Sequence, residues 1–206
     1  MPSAVVLQLC APTRALPSRP GWVYEPKLDG CRVLLGRDGD ECHVRTRGGH
    51  LVQRALPEVV AALRRLAPSH VVLDAELVVC DAAGRCDFDA ACSRLRSAEG
   101  PAVVCFAFDV LALEGDDLRD RPLVERRVVL ERVVRLDDPV LRPVHVHQGD
   151  PAAMVESAWD LRLEGIVAKW AGARYTGGRS SLWRKLVLRR ADRGWRVEQR
   201  AAWCAG

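Results

Sequence analysis

Glu25-Pro26-Lys27-Leu28-Asp29-Gly30-Cys31-Arg32 places a lysine just before a turn, with an arginine five residues on. The chain otherwise avoids lysine. Of its 31 basic residues only Lys27, Lys169 and Lys185 are lysines, and the remainder are arginines. A guanidinium stays charged and non-nucleophilic, whereas a lysine amine can lose its proton in a suitable pocket and attack an electrophile. Its compact ammonium also fits against a phosphate. The placement of the three therefore predicts one nucleophilic lysine and two that clamp a phosphate. Gly30 is expected to let the backbone approach a ligand closely. Taken alone, the same string also fits a surface turn.

Outward from this stretch, 21–47 reads as strands joined by tight turns. Segments 31–36 and 41–46 flank Arg37-Asp38-Gly39-Asp40, a hairpin signal because an Asp-Gly pair tolerates positive φ. Pro57 opens a helix to Leu66, with Val59, Val60, Leu63 and Leu66 at helical spacing. Segment 71–79 is an apolar strand interrupted by Asp74 and Glu76, and Glu76 stands out because a buried carboxylate needs a partner. Asp87 caps a short helix to Leu95, and 103–111 is a strand apolar enough to be buried on both faces. A helix over 122–136 is expected to carry its arginines on the outer face. Asp150-Pro151 starts another helix, and 166–170 and 182–188 close the chain as strands. Hairpins first and helices interspersed indicate an α+β fold.

Composition narrows the function. No apolar run approaches a membrane span, and Met1 is not followed by the charged start of a secretory signal, so a cytoplasmic protein is expected. None of the eight cysteines forms a CxxC pair; they read as small core hydrophobes. His145 and His147 share a face of a presumed strand and could pair on a metal, although exposed strand histidines are the plainer reading. The formal charge is +4, yet residues 161–206 carry eleven Lys/Arg against Glu164, Asp192 and Glu198. A basic end beside a phosphate-handling site fits a polyanion such as DNA or RNA, and a solvated basic tail equally.

Six strings occur in order: Lys27-Leu28-Asp29-Gly30-Cys31-Arg32, Thr46-Arg47-Gly48-Gly49, Asp74-Ala75-Glu76-Leu77, Phe106-Ala107-Phe108-Asp109-Val110-Leu111, Glu164-Gly165-Ile166-Val167-Ala168-Lys169 and Trp183-Arg184-Lys185. Together they resemble the ordered motifs of the covalent nucleotidyltransferases: ATP-dependent DNA ligases, RNA ligases and mRNA capping enzymes. The lead-in from Gly21 to Lys27 and the closing Arg174-Tyr175, Gly178-Arg179-Ser180 and Trp183 resemble bacterial end-joining DNA ligases in particular. The likeness runs from about Pro20 to Leu188. It implies a nucleotidyltransferase (ATP-grasp-like) fold of antiparallel sheets flanked by helices, with an adenylation domain over 1–188. It implies that Lys27 attacks the α-phosphate of ATP, that Glu25 helps read adenine and that Phe108 stacks on it, with Phe106 as the alternative. It further implies that Arg32, Arg47 and Glu76 contact ribose or a nucleic-acid phosphate. Glu164, with Glu76, would hold Mg2+ (or Mn2+), while Lys169 and Lys185 neutralise the phosphate. The partner implied is nicked or broken duplex DNA. An RNA ligase or capping-type transferase, or a weakened nucleotide- or DNA-binding remnant, is the alternative.

Three departures stand out. Ala75 replaces the usual glycine of the third motif, which matters only if that backbone needs positive φ. Val187 replaces a second lysine in the last motif; Arg184, Arg189 or Arg190 could compensate only if their directions allow, and Arg184 lies on the wrong side of the strand alternation. Residues 189–206 form a short basic tail, too few for the five-stranded OB-fold that follows this domain in the family, so a separate protein supplying that barrel is a further expected partner.

Overall fold

The computed structural model describes residues 5–82 and 84–188. Along these the elements are β1 (Gln8–Pro12), β2 (Trp22–Lys27), β3 (Cys31–Asp38), β4 (Glu41–Thr46), a 3-10 turn (Gln53–Ala55), α1 (Pro57–Arg64), β5 (His70–Val78), α2 (Phe88–Arg94), β6 (Val104–Leu113), β7 (Asp116–Asp117), α3 (Leu123–Val133), β8 (Leu141–Pro143), α4 (Pro151–Asp160), β9 (Gly165–Trp170) and β10 (Gly178–Val187). The strands form two sheets. One has the order β1-β10-β9-β2; the other has β4-β3-β5-β6-β7, with β8 beside β6. Pairing is antiparallel except β1 with β10 and β6 with β8, so the sheets are mixed rather than purely antiparallel. The α+β class stands.

Period-two alternation assigns each face. Val33, Leu35, Leu73, Leu77 and Cys105 of the larger sheet pack with Val59, Leu63, Ala91 and Leu130 of the helices α1, α2 and α3. Ile166, Ala168, Leu186 and Tyr24 of the smaller sheet pack against Ala158, Met154 and Trp159 of α4. The remaining faces meet each other through Leu34, Val72 and Leu111 on one side and Trp183 and Cys10 on the other. The polar residues of the strands, Arg32, Asp74 and Glu76 against Glu25, Lys27 and Lys169, fall on these facing surfaces. Alternation thus gathers the chemistry between the sheets.

The 37–40 hairpin forms as read, with Gly39 at φ +60. Asp87 and Asp150 cap α2 and α4 by accepting from the amides of Ala90 and Ala152. Ala75 sits fully buried in β5 without a positive φ, so its methyl fills core where a glycine would leave space. Three expectations change. The arginines of α3 are not all outside: Arg126 is fully buried and Arg127 nearly so, while Val124 and Val128 face out. Asp109, buried at a bulge of β6, requires a counter-ion, and Arg126 supplies it through Nε–Oδ1 at 2.7 Å and Nη2–Oδ2 at 2.8 Å. Cys80 and Cys86 form a disulfide rather than packing as separate hydrophobes. The tight Asp81–Arg85 turn brings their Cα atoms to 4.1 Å. His145 lies outside any strand, and His147 makes only an isolated bridge to Tyr24, so the two share no strand face.

Among the described residues no helix is long and apolar enough to cross a membrane. The tail assigned to 189–206 lies outside them.

Candidate functional site

A cavity of about 210 Å³ opens between the sheets. Lys27, Glu25, Arg32, Arg47, Glu76, Phe108, Lys169 and Lys185 all line it. Glu164 sits at its edge, lining an adjoining cavity that also exposes Lys27. With Arg179, the first cavity gathers six cationic side chains against the carboxylates Glu25 and Glu76. Such a wall attracts a polyanion.

Lys27 ends β2, opposite Gly165 of β9. Its Nζ lies 2.5 Å from Glu164 Oε2, on the residue that leads into β9. Gly165 must be glycine for a local reason: a Cβ there would stand 2.0 Å from the Leu186 carbonyl oxygen. Gly30 serves the same purpose. Its missing Cβ would meet the Leu77 carbonyl oxygen at 2.3 Å, so the close approach it permits is to β5 and not to a ligand.

Lys169 is buried, with Nζ 2.6 Å from Glu25 Oε2 and 4.2 Å from the ring centroids of both Phe108 and Trp183. Two aromatic faces and one carboxylate therefore hold the ammonium. The contact with Glu25 is close but not directed as a hydrogen bond, and Nζ, Glu25 Oε1 and Trp183 Nε1 all remain without a hydrogen-bond partner. Phe108, and not Phe106, lines the cavity. Lys185 stands on the same β10 face as Trp183 and lines the cavity.

Arg32 is committed. Its Nε and Nη2 form a fork on Asp74 at 2.9 and 2.5 Å, and Nη1 donates to the Gln8 carbonyl at 2.6 Å. Tyr175 donates to Asp74 Oδ2 at 2.7 Å and accepts from the Gln8 amide. Burial opposes the arginine's charge, and the charge and hydrogen bonds of Asp74 more than offset it, raising its pKa. Burial and Asp74 likewise push the Tyr175 hydroxyl up. Arg32 presents its guanidinium to the Phe108 ring at 5.2 Å instead of a free fork to the cavity. Burial pushes the Glu76 carboxyl up to about 7, with Lys27 and Arg32 pulling back against Asp74 and Glu164. Burial also raises the Cys10 thiol, which lines the same cavity.

Arg184 lies over Trp22 at 5.2 Å on the outer face of β10, so it does not substitute for a lysine at Val187. Among the described residues no cluster of three His, Cys, Asp or Glu side chains could hold a metal by itself. Sequence reasoning gave no role to Trp183, Asp74 or Tyr175. The signal for Asp74 was its isolation in an apolar strand; Gln8 and Tyr175 gave none, because their contact joins residues 167 apart.

The sequence matches the family described as ATP dependent DNA ligase domain over residues 9–186. It is 39% identical over 172 residues to the multifunctional non-homologous end joining protein LigD of Pseudomonas aeruginosa, covering 82% of this chain and 20% of the relative. To DNA ligase C of Mycobacterium tuberculosis it is 32% identical over 194 residues, covering 85% and 54%. Among solved structures, mycobacterial DNA ligase D complexed with ATP and MES is similar with a TM-score of 0.74 and 28% identity, over 87% of this chain and 59% of that one. The ligase domain of M. tuberculosis LigD is similar at 0.71 and 30%, over 88% and 58%. The chain spans less than two thirds of each of these proteins. With a match over nearly its whole described length, and a cavity that collects the lysines of three ordered motifs, the chain belongs to the ATP-dependent DNA ligase domain family.

Proposed function

We propose that the chain is the adenylyl-transfer core of an ATP-dependent DNA ligase, with Lys27 as the AMP acceptor. One observation carries this: a lysine, ion-paired 2.5 Å from Glu164, opens into a cavity that two further lysines line from neighbouring strands of the same sheet. In the first step Lys27 Nζ forms a bond to the α-phosphorus while the bridging bond to the β-phosphate breaks, releasing pyrophosphate. Glu164 Oε2 is the acceptor nearest the proton that Nζ must lose. Lys185 and Lys169 face the phosphate and offset the charge that builds on it.

Adenosine fits the unsatisfied atoms of the cavity. Glu25 offers a carboxylate oxygen suited to the adenine amino group, Trp183 Nε1 is a buried donor, and Phe108 offers a ring to stack on. For a divalent cation the protein offers Glu164 and Glu76. Two carboxylates suit Mg2+ that also takes phosphate oxygens; when bound, the ion would supply positive charge to those oxygens. In the steps that follow, AMP passes to the 5′-phosphate of a nick and the adjacent 3′-hydroxyl displaces it. The DNA-ligase relatives favour duplex DNA over RNA as acceptor. A module that closes over the nucleotide and grips the duplex, in a cytoplasmic repair setting, completes the reading, whether it belongs to the same polypeptide or to a partner.

The test is the intact mass of the protein after pyrophosphate treatment and then after ATP and magnesium. A gain of one AMP in the wild type and none in Lys27→Ala is the expected result. Saturable ATP binding without a mass gain would overturn the transfer step and leave a nucleotide-binding remnant.

A further inference from the structure

Behind the cavity wall, Glu25 stands between two cations. Oε2 is 2.6 Å from Lys169 Nζ, and Oε1 is 3.9 Å from Nη1 of Arg127, which reaches in from α3. The three residues are almost completely buried. Arg127 is anchored by Nη2, which donates to the Val144 carbonyl at 2.8 Å and to Glu131 at 3.3 Å. Its Nη1 makes no hydrogen bond, and neither does Glu25 Oε1. Two buried, unsatisfied and complementary atoms thus face each other about 1 Å beyond charge-assisted hydrogen-bond distance. A carboxylate drawn toward Lys169 on one side leaves that gap on the other.

We propose that Arg127 is a positioning residue for adenylyl transfer, taking over Glu25 when Lys169 turns from that carboxylate to the phosphate. The inference rests on the function proposed above. A buried carboxylate that loses its counter-ion is strongly disfavoured, so Glu25 on its own resists releasing Lys169. A movement of about 1 Å toward Nη1 gives it a charged hydrogen bond in exchange. Arg127 then never touches the nucleotide, and acts through Glu25 by lowering the resistance to freeing the lysine.

The experiment is a double-mutant cycle read by single-turnover formation of lysyl-AMP at varied ATP. Arg127→Met in the wild-type background is expected to slow the saturated rate about tenfold. The ATP concentration for half-saturation should move less than about threefold. In a Glu25→Gln background, where a neutral amide needs no counter-charge, the same substitution should change the rate less than about threefold. Arg127→Lys, which keeps the charge, should recover part of the loss. Equal losses in both backgrounds, or a loss confined to ATP affinity, would overturn the inference. If thermal melts show Arg127→Met unfolded, Arg127→Gln and Arg127→Lys replace it in the cycle; failure of all three to fold would assign Arg127 to the scaffold and overturn the inference too. Absence of lysyl-AMP in the wild type sinks the transfer reading together with this one, whereas a wild-type adduct with an additive cycle sinks this one alone.

Discussion

Replacing Glu76 by glutamine should make the protein more stable at neutral pH and less active. In the folded chain burial pushes the Glu76 carboxyl from 4.5 up to about 7. The folded state therefore holds a proton that the unfolded state has already released, across the window from about pH 4.5 to 7. Unfolding stability falls wherever the native state binds more protons, so the wild type loses stability as pH rises through that window and stays lower above it. A shift of this size is worth about 3 kcal/mol at most, since one edge of the side chain faces the water of the cavity. Glutamine removes the loss. Thermal unfolding of both proteins at pH 5 and pH 8 is the assay. Near pH 5 the two should melt close together; at pH 8 Glu76→Gln should melt about 6–12 °C higher for a chain of this size. Formation of lysyl-AMP should fall in the variant, because the carboxylate lines, with Lys27, the cavity proposed to hold the nucleotide. Parallel melting curves at the two pH values, or a variant less stable at pH 8, would refute the assigned cause.

Three other substitutions probe the scaffold and the departure at Val187. Asp109→Asn leaves Arg126 as a fully buried cation without a charged partner, and should cost about 3–5 kcal/mol by urea denaturation; a loss below about 1 kcal/mol would contradict the burial. Gly165→Ala drives a methyl against the Leu186 carbonyl, so it should destabilise by about 1–3 kcal/mol and lower the adduct yield by displacing Glu164. Val187→Lys introduces an ammonium at a 40%-exposed site in the same cross-strand row as Gly165 and Lys27. It should change stability by less than about 0.5 kcal/mol and speed lysyl-AMP formation severalfold. An unchanged rate would show that the apolar residue does not limit the reaction.

Residues with a strong local pattern were legible, and those whose meaning depends on distant partners were not. The hairpin at Gly39 and the capped helices follow from turn and cap chemistry within a few residues. The cavity-lining residues followed from motif order, and alternation places them between the sheets. β1 escaped notice because Gln8–Pro12 has neither alternation nor a nearby partner; it pairs with β10, some 170 residues on. The orientation of α3 also escaped. Charge on a helix usually marks its solvent face, and only knowledge that Asp109 is buried on a neighbouring strand turns Arg126 inward. Gly30 was read for its freedom near a ligand, yet the reason for a glycine there is the carbonyl of β5.

The scarcity of lysine acquires a structural meaning once the partners are known. Two interior arginines hold carboxylates by forks: Arg32 on Asp74 and Arg126 on Asp109, each through two nitrogens and two oxygens. A planar fork sets orientation as well as charge and is costly to pull away. Lys27 and Lys169 each meet a single carboxylate oxygen, on Glu164 and Glu25. A point charge on a flexible stem can exchange one oxygen for another, carboxylate for phosphate, without breaking a second bond. All three lysines project from one face of the smaller sheet, on β2, β9 and β10, where phosphate arrives in the proposed reaction, while the fork-forming Arg32 stands on the sheet opposite. The two forks thus suit contacts that persist, whereas the single-oxygen contacts of Lys27 and Lys169 suit the exchange that the proposed adenylyl transfer asks of them.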